Sequence, residues 1–298
     1  MTTPDTSPNA RLLRRDYGKE AIPLSILGFP GIMLTVMDQS GAGEIVAEAV
    51  ERGVNYFDVA PTYGDAEVKL GPALEPYRKN VFLACKTTQR TRDGAAAELK
   101  RSLERLRTDH LDLYQLHALV KVEKDVDAVF AKRGAMETFL EAKRSGQVRH
   151  VGFSAHTEAA ALAALERYDF DSVLFPLNFA CWHKHNFGPR VAEAAHRKGA
   201  TLLALKAMAR EKWPEGAPDR ERYKPCWYKP LVGADEIALA LRFTWSVPVV
   251  AAVSAGHPDL FRKALDAAAD PSPREADEAA ALRSLAQSLN PIFDPPAD

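Results

Sequence analysis

Only three cysteines, Cys85, Cys181 and Cys226, stand in 298 residues. They are too few and too scattered for a disulfide framework. They fit a reducing compartment, and a cytoplasmic location is expected. Charge of one sign is also missing: 39 Lys and Arg face 40 Asp and Glu, a formal net charge of −1. A protein that neutralises phosphates carries a basic excess, so no nucleic acid is expected as a partner. Long apolar runs are missing too. The charge-free stretch 21–37 is broken by Pro23, Gly28, Pro30 and Gly31, and it is shorter than the about 20 residues a spanning helix needs. No membrane association is expected. Arg14-Arg15 precedes that stretch, but no clean apolar core with a small-residue cleavage site follows, so export is not expected. The stretch reads as a short strand, a turn and a buried strand over 24–29. Residues 1–10, with Pro4, Asp5, Ser7, Pro8 and Asn9, read as a mobile tail.

What is present is an ordinary globular mixture, 46% hydrophobic and 27% charged, in a chain long enough to bury a large core. Short apolar runs alternate with helical periodicity. Strands are expected at 24–29, 54–58, 81–86, 111–116, 148–153, 172–177, 201–205 and 247–253, where Val, Ile, Leu, Tyr and Phe cluster. Helices are expected at 43–52, 94–106, 136–144, 157–167, 189–198, 235–245 and 258–269. In the second of these Leu99, Leu103 and Leu106 share a face, while Lys100, Arg101, Glu104 and Arg105 face water. Gly146 and Gly199 suit the left-handed position that ends a helix. Eight such units imply an α/β fold in which a parallel sheet closes into a single-domain (β/α)₈ TIM barrel over 11–270. An open doubly wound sheet is the alternative, but no strand leads into a G-x-G-x-x-G turn. A long connection at 207–233 carries Trp213, Pro214, Pro218, Pro225 and Pro230. Residues 271–298 form one Ala-rich helix, 274–289, and a tail.

In such a barrel the reactive groups collect at the C-terminal ends of the strands. Asp58 ends the second strand, with Tyr63 in the loop after it. Lys86 ends the third strand and His117 the fourth. Each alone has a plain reading as a cap, a surface turn, a solvated lysine or a satisfied core histidine. Together they make chemical sense. Asp58 supplies the countercharge that a buried Lys86 needs. Lys86 favours the phenolate of Tyr63 and is expected to lower its pKa from about 10. A phenol so tuned donates a proton to a developing alkoxide, and His117 orients the same oxygen. No side chain supplies a hydride, so a nicotinamide cofactor is required.

At these positions the sequence resembles the aldo-keto reductase superfamily. Asn55-Tyr56-Phe57-Asp58-Val59-Ala60-Pro61-Thr62-Tyr63-Gly64, Leu70-Gly71-Pro72, Val81-Phe82-Leu83-Ala84-Cys85-Lys86-Thr87 and Leu111-Asp112-Leu113-Tyr114-Gln115-Leu116-His117 carry the resemblance. It is strong over residues 43–120 and weaker at 17–31 and 146–154. It implies a (β/α)₈ barrel and NADPH-dependent reduction of small-molecule carbonyls by an Asp58–Tyr63–Lys86–His117 tetrad, with NADH as the alternative cofactor. It further implies that Ser154 and Asn178 contact the nicotinamide end of the cofactor. The second half departs from the family: Ala155 stands in the place of an Asn, Leu174 in that of a Gln, and Leu205-Lys206-Ala207-Met208 lacks the usual stacking ring. Two other functions fit a weakened amide site. One is a regulatory subunit that binds and senses the cofactor. The other is non-redox chemistry with the same Tyr–Lys pair.

Several residues keep two readings each. Lys206, at a strand end, contacts a cofactor phosphate or a substrate carboxylate, or is solvated. Ser254-Ala255-Gly256-His257-Pro258 opens a helix whose free N–H groups suit phosphate, and Ser254 and Gly256 are candidate cofactor contacts. Arg262 meets a ribose 2′-phosphate or faces solvent. Cys181-Trp182-His183-Lys184-His185 reads as a loop and contains metal-ligand types, but no second cluster completes a set, and no metal is expected. Trp182, Trp213, Trp227 and Tyr228 either shape the substrate pocket or pack the long connection onto the barrel. Cys85, next to Lys86 on a strand, turns away from the mouth and is expected to be buried and inert. The sequence leaves the oligomeric state open.

Overall fold

The computed structural model describes residues 12–272 and 276–295. The tail expected at 1–10 lies outside the described residues, as do 273–275, the expected start of the last helix.

Strands β1 (Arg14–Tyr17) and β2 (Ile22–Ser25) pair as an antiparallel hairpin. Eight further strands run parallel and close into a barrel: β3 (Leu27–Pro30), β4 (Tyr56–Asp58), β5 (Phe82–Thr87), β6 (Leu111–Leu119), β7 (Val148–Ala155), β8 (Ser172–Pro176), β9 (Thr201–Leu205) and β12 (Ala251–Val253). Each pairs with its neighbour in chain order, and β12 closes the ring between β9 and β3. The remaining two strands, β10 (Ala209–Glu211) and β11 (Lys229–Pro230), form a small ribbon in the long connection.

The two-residue period of a strand sorts the side chains. Tyr56, Phe82, Ala84, Leu113, Leu174, Leu203 and Ala251 fill the barrel interior, joined by Tyr17 and Leu24 of the hairpin. The hairpin is tied in by Tyr17, whose hydroxyl donates to Ser172 Oγ at 3.0 Å, and by Arg15, which donates to Val249 O and Trp245 O. The intervening residues Phe57, Leu83, Cys85, Val173 and Ala204 face outward into the layer shared with the helices. Following each inward row toward its C-terminal end leads to the candidate residues: Tyr56 to Asp58, Ala84 to Lys86, Leu113 through Gln115 to His117. The strand period therefore places three reactive groups at one mouth.

Local signals fix the helices. Thr91 Oγ1 accepts from Gly94 N, and Thr157 Oγ1 from Ala160 N, each capping a first turn. Gly146 (φ +80°) and Gly199 (φ +70°) end their helices left-handed, as expected.

Three expectations need correcting. The run 24–29 is not one strand. Ser25 ends the hairpin, Leu27 begins the barrel, and Ile26 between them donates to Leu13 O while its carbonyl accepts from Ala252 N and Trp245 Nε1. A single apolar run thus serves two sheets. The last strand is shorter than 247–253: Val247 N bonds back to Thr244 O and Val249 N to Val247 O, so the chain joins the barrel only when Val250 N donates to Leu202 O. Finally, residues 181–185 are helical. The helix Phe179–His185 is capped by Asn178, whose Oδ1 accepts from Cys181 N at 3.0 Å. Among the described residues, no helix is long and apolar enough to cross a membrane.

Candidate active site

Asp58, Tyr63, Lys86 and His117 line one cavity of about 250 Å³ at the C-terminal mouth. The buried Lys86 ammonium donates to Asp58 Oδ1 and, at 3.3 Å, to Val59 O. The other carboxylate oxygen of Asp58 accepts from Tyr56 OH at 3.3 Å and Gln115 Nε2 at 3.2 Å. A buried carboxylate is tolerated only when paired and bonded in this way. Gly28 on β3 gives Tyr56 its room, since a Cβ there would stand 2.6 Å from the Tyr56 ring. Tyr56 and Gln115 were not singled out from the sequence. Each lies two residues before a tetrad member on the same strand, so the alternation that located the tetrad also points to them.

Tyr63 sits in the loop that leaves β4, held by Tyr63 N to Ala60 O and Ala66 N to Tyr63 O. Its ring centroid lies 5.6 Å from Lys86 Nζ. The His117 ring meets it edge-on at 5.8 Å and 87°. The His117 backbone is braced by Arg90, which donates to its carbonyl at 2.8 Å. The next residue, Ala118, adopts φ +55° and donates its N–H to Ser154 Oγ at 2.8 Å.

Electrostatics refines the expected roles. Burial pulls the Lys86 ammonium down, but Asp58 and Tyr63 push it up further, so it stays charged well past neutral pH. Burial, followed by the charges of Lys86, His156, Lys206 and Arg90, holds His117 well below the usual imidazole range. It is therefore a neutral ring, and its Nδ1 is buried with no partner among the described residues. The expectation for Tyr63 is corrected. Lys86 does pull its pKa down, but burial raises it more, so the phenol lies above its ordinary value. The Tyr63 hydroxyl therefore keeps its proton throughout the neutral range.

The cofactor candidates divide. Ser154, Lys206, Ser254 and Gly256 line the same cavity. Asn178 is not among the residues lining that cavity; its Oδ1 caps a helix, and its Nδ2 is buried without a partner among the described residues. Arg262 lies outside the cavity, bound to both carboxylate oxygens of Glu48. Ser154 Oγ is committed to the Ala118 amide, and Leu174 and Leu205 present apolar side chains to the cavity.

The long connection folds over the mouth, where Pro225, Trp227 and Tyr228 complete the wall. Trp213 and Trp182 have the packing role instead: Trp213 Nε1 donates to Cys226 O, and Trp182 stands edge-on to Phe243. His185 Nδ1 lies 2.6 Å from Phe293 O. Among the described residues, no group of three or more His, Cys, Asp or Glu is placed to hold a metal ion. Cys85 is buried, its sulfur 3.4 Å from Glu67 Oε1 on the outer side of the barrel. A residue not assigned from the sequence, His156, also lines the cavity, next to Lys206.

Comparison with known proteins accords with this geometry. A model of the aldo/keto reductase family matches residues 27–224. The chain is 33% identical over 156 residues to the uncharacterized oxidoreductase YqkF of Bacillus subtilis, covering 48% of each chain. It is 31% identical over 158 residues to the aldo-keto reductase YhdN of the same organism, covering 47% of this chain and 45% of that one. The matched region thus spans about half the length of these curated relatives. Among solved structures, an aldo-keto reductase from Bacillus halodurans in its holo form superposes with a TM-score of 0.70 at 24% identity, covering 95% of this chain and 99% of that one.

Proposed function

The chain belongs to the aldo/keto reductase family, and from that premise we propose that it reduces aldehydes or ketones to alcohols with a reduced nicotinamide cofactor, NADPH in preference to NADH. The observation that carries this reading is the convergence of Asp58, Tyr63, Lys86 and His117 on one cavity, with the lysine and carboxylate locked together. The residues present suit a flat heterocycle. Leu174, Leu205, Val253 and Trp227 offer apolar walls to the cavity that the tetrad also lines. Ser254 and Gly256, before the N-terminus of the helix Pro258–Ala269, are the residues that would hold the cofactor's phosphates. Arg262 would reach a ribose 2′-phosphate only by releasing Glu48.

When bound, the cofactor supplies a hydride to the carbonyl carbon. The protein's own part is to complete that reduction at oxygen. Tyr63 donates its phenolic proton to the developing alkoxide. The Lys86 ammonium, kept charged by Asp58, stabilises the phenolate that remains. His117, as a neutral imidazole, donates a hydrogen bond to the same oxygen and fixes its position.

A second reading, a subunit that binds and senses the cofactor without turnover, is favoured by one observation: Ala155 and Leu174 offer the carboxamide no polar partner, and Ser154 Oγ is already used. One experiment separates the two. NADPH is mixed with the protein and a panel of aldehydes, and its absorbance and fluorescence are followed in time. Carbonyl-dependent consumption with matching alcohol formation supports the reductase. Fluorescence change on binding without consumption favours the sensor.

A further inference from the structure

Lys206 is the least satisfied charge in the molecule's mouth. It follows β9 with φ +61°, a conformation that side-chain-bearing residues rarely adopt and that surrounding structure must hold in place. The held conformation places its side chain along the wall of the tetrad cavity. No described carboxylate forms an ion pair with it. Its neighbours are His156 Nε2 at 3.4 Å and the Trp227 ring, whose centroid is 5.4 Å away. The charged and titratable groups around it are Lys86 on β5, Asp58 on β4, His117 on β6, His156 after β7, Cys226 and Tyr228 in the long connection and Tyr63 in the loop after β4.

The charge count in this cavity is uneven. Asp58 and Lys86 cancel. His117 and His156 are neutral, His156 being pulled to about 3 by burial and by Lys206. Lys206, lowered to about 7 by burial and then by Lys86, carries a positive charge below that pH and has no counterpart among the described residues. Lys206 is half-buried, and a cation partly withdrawn from water without a partner is costly, a cost that falls when an anion fills the space beside it.

We propose that Lys206, positioned by His156 and Trp227, is an anion-recognising pole of the active site, and that the preferred substrates are small carbonyl compounds bearing a carboxylate. This rests on the carbonyl-reductase reading and adds to it a substrate class. Lys206, Tyr63 and His117 line the same cavity of about 250 Å³, which sets the charge on the wall of the space where the carbonyl would react. That space suits a carbonyl and a carboxylate joined by a short linker. A cofactor phosphate is the other source of the same anionic chemistry.

The test compares an aldehyde acid with its primary amide, equal in length, using the wild-type protein, Lys206→Met and Lys206→Arg. The expected wild-type kcat/KM ratio favours the acid by at least about tenfold, as a charge-assisted hydrogen bond implies. Lys206→Met should collapse that ratio toward one, and Lys206→Arg should restore part of it. The wild-type ratio should also fall as pH rises through about 7, because burial, then Lys86, lowers the Lys206 ammonium to that value. Tightness of a saturated carboxylate lacking any carbonyl, read by calorimetry, should fall in parallel. This arm needs no turnover, so it separates failure of the anion pole from failure of the reductase reading. An acid-to-amide ratio unmoved by Lys206→Met overturns the proposal. So does a loss of NADPH affinity in that variant with the ratio kept, which would assign the charge to the cofactor. Melting curves and Trp emission of each variant confirm that the compared proteins are folded.

Discussion

The two sides of the barrel mouth treat their polar groups in opposite ways. On the side built by β4, β5 and β6, every charge has a partner: Lys86 holds Asp58, and Tyr56 and Gln115 take the remaining carboxylate oxygen. On the side built by β7, β8, β9 and β12, Leu174 and Leu205 are apolar, Ser154 is turned to the backbone, and Lys206 has no countercharge. The first side is assembled before any ligand arrives, as proton transfer requires. On the proposed reading the second side is completed by what binds there and sets affinity and selectivity.

The comparison can be broken most severely by removing one half of the locked pair. Lys86→Met leaves Asp58 buried and uncompensated, which costs roughly 3–5 kcal/mol. Chemical denaturation of the variant should show a loss of that order, with carbonyl reduction abolished. The double variant Asp58→Asn/Lys86→Met should regain part of the stability and none of the activity. Equal stability of Lys86→Met and wild type would mean that the pair is not the keystone of this side.

A milder probe uses pH. Both imidazoles at the mouth are held below their ordinary value of 6.5 by burial first, His156 to about 3. Between 6.5 and those lower values the unfolded chain binds protons that the folded chain refuses, so stability falls as pH drops below about 6.5. Melting temperature measured from pH 7 to pH 5 should decline, and His156→Phe should flatten the slope. A slope unchanged by that variant would remove His156 from the account.

The smallest expected effect sharpens the contrast by repairing the second side. Leu174→Gln supplies a hydrogen-bonding group where an apolar one lines the cavity. NADPH should then bind about threefold to tenfold more tightly, the net value of one hydrogen bond, measured by fluorescence titration. Unchanged affinity would show that β8 does not face the carboxamide.

The same contrast explains what the sequence discloses. The barrel is legible because Tyr56, Phe82, Ala84, Leu113 and Leu203 obey a two-residue period, and because Gly146 and Gly199 mark where helices end. The tetrad is legible because its members close three successive inward rows and the loop after one of them. Long-range partnerships are not legible in this way. Arg262 stands at a helix start in sequence, yet it is bound to Glu48, 214 positions away. Asn178 matches a ligand-contact position, yet its side chain caps a seven-residue helix, Phe179–His185, whose Cys-Trp-His composition reads as a loop. The sign of the Tyr63 shift was also out of reach, since it depends on how deeply burial opposes Lys86. The break at Ile26 was hidden because both strands it separates are apolar.

The central claim is that the Tyr63 phenol delivers the proton that completes carbonyl reduction. Its most direct measurement is carbonyl-dependent NADPH consumption by Tyr63→Phe, with NADPH binding measured alongside. Tyr63→Phe should lose at least about 100-fold in turnover, the usual contribution of a positioned general acid, with cofactor affinity kept within about threefold. Wild-type turnover in Tyr63→Phe, with binding intact, would contradict it.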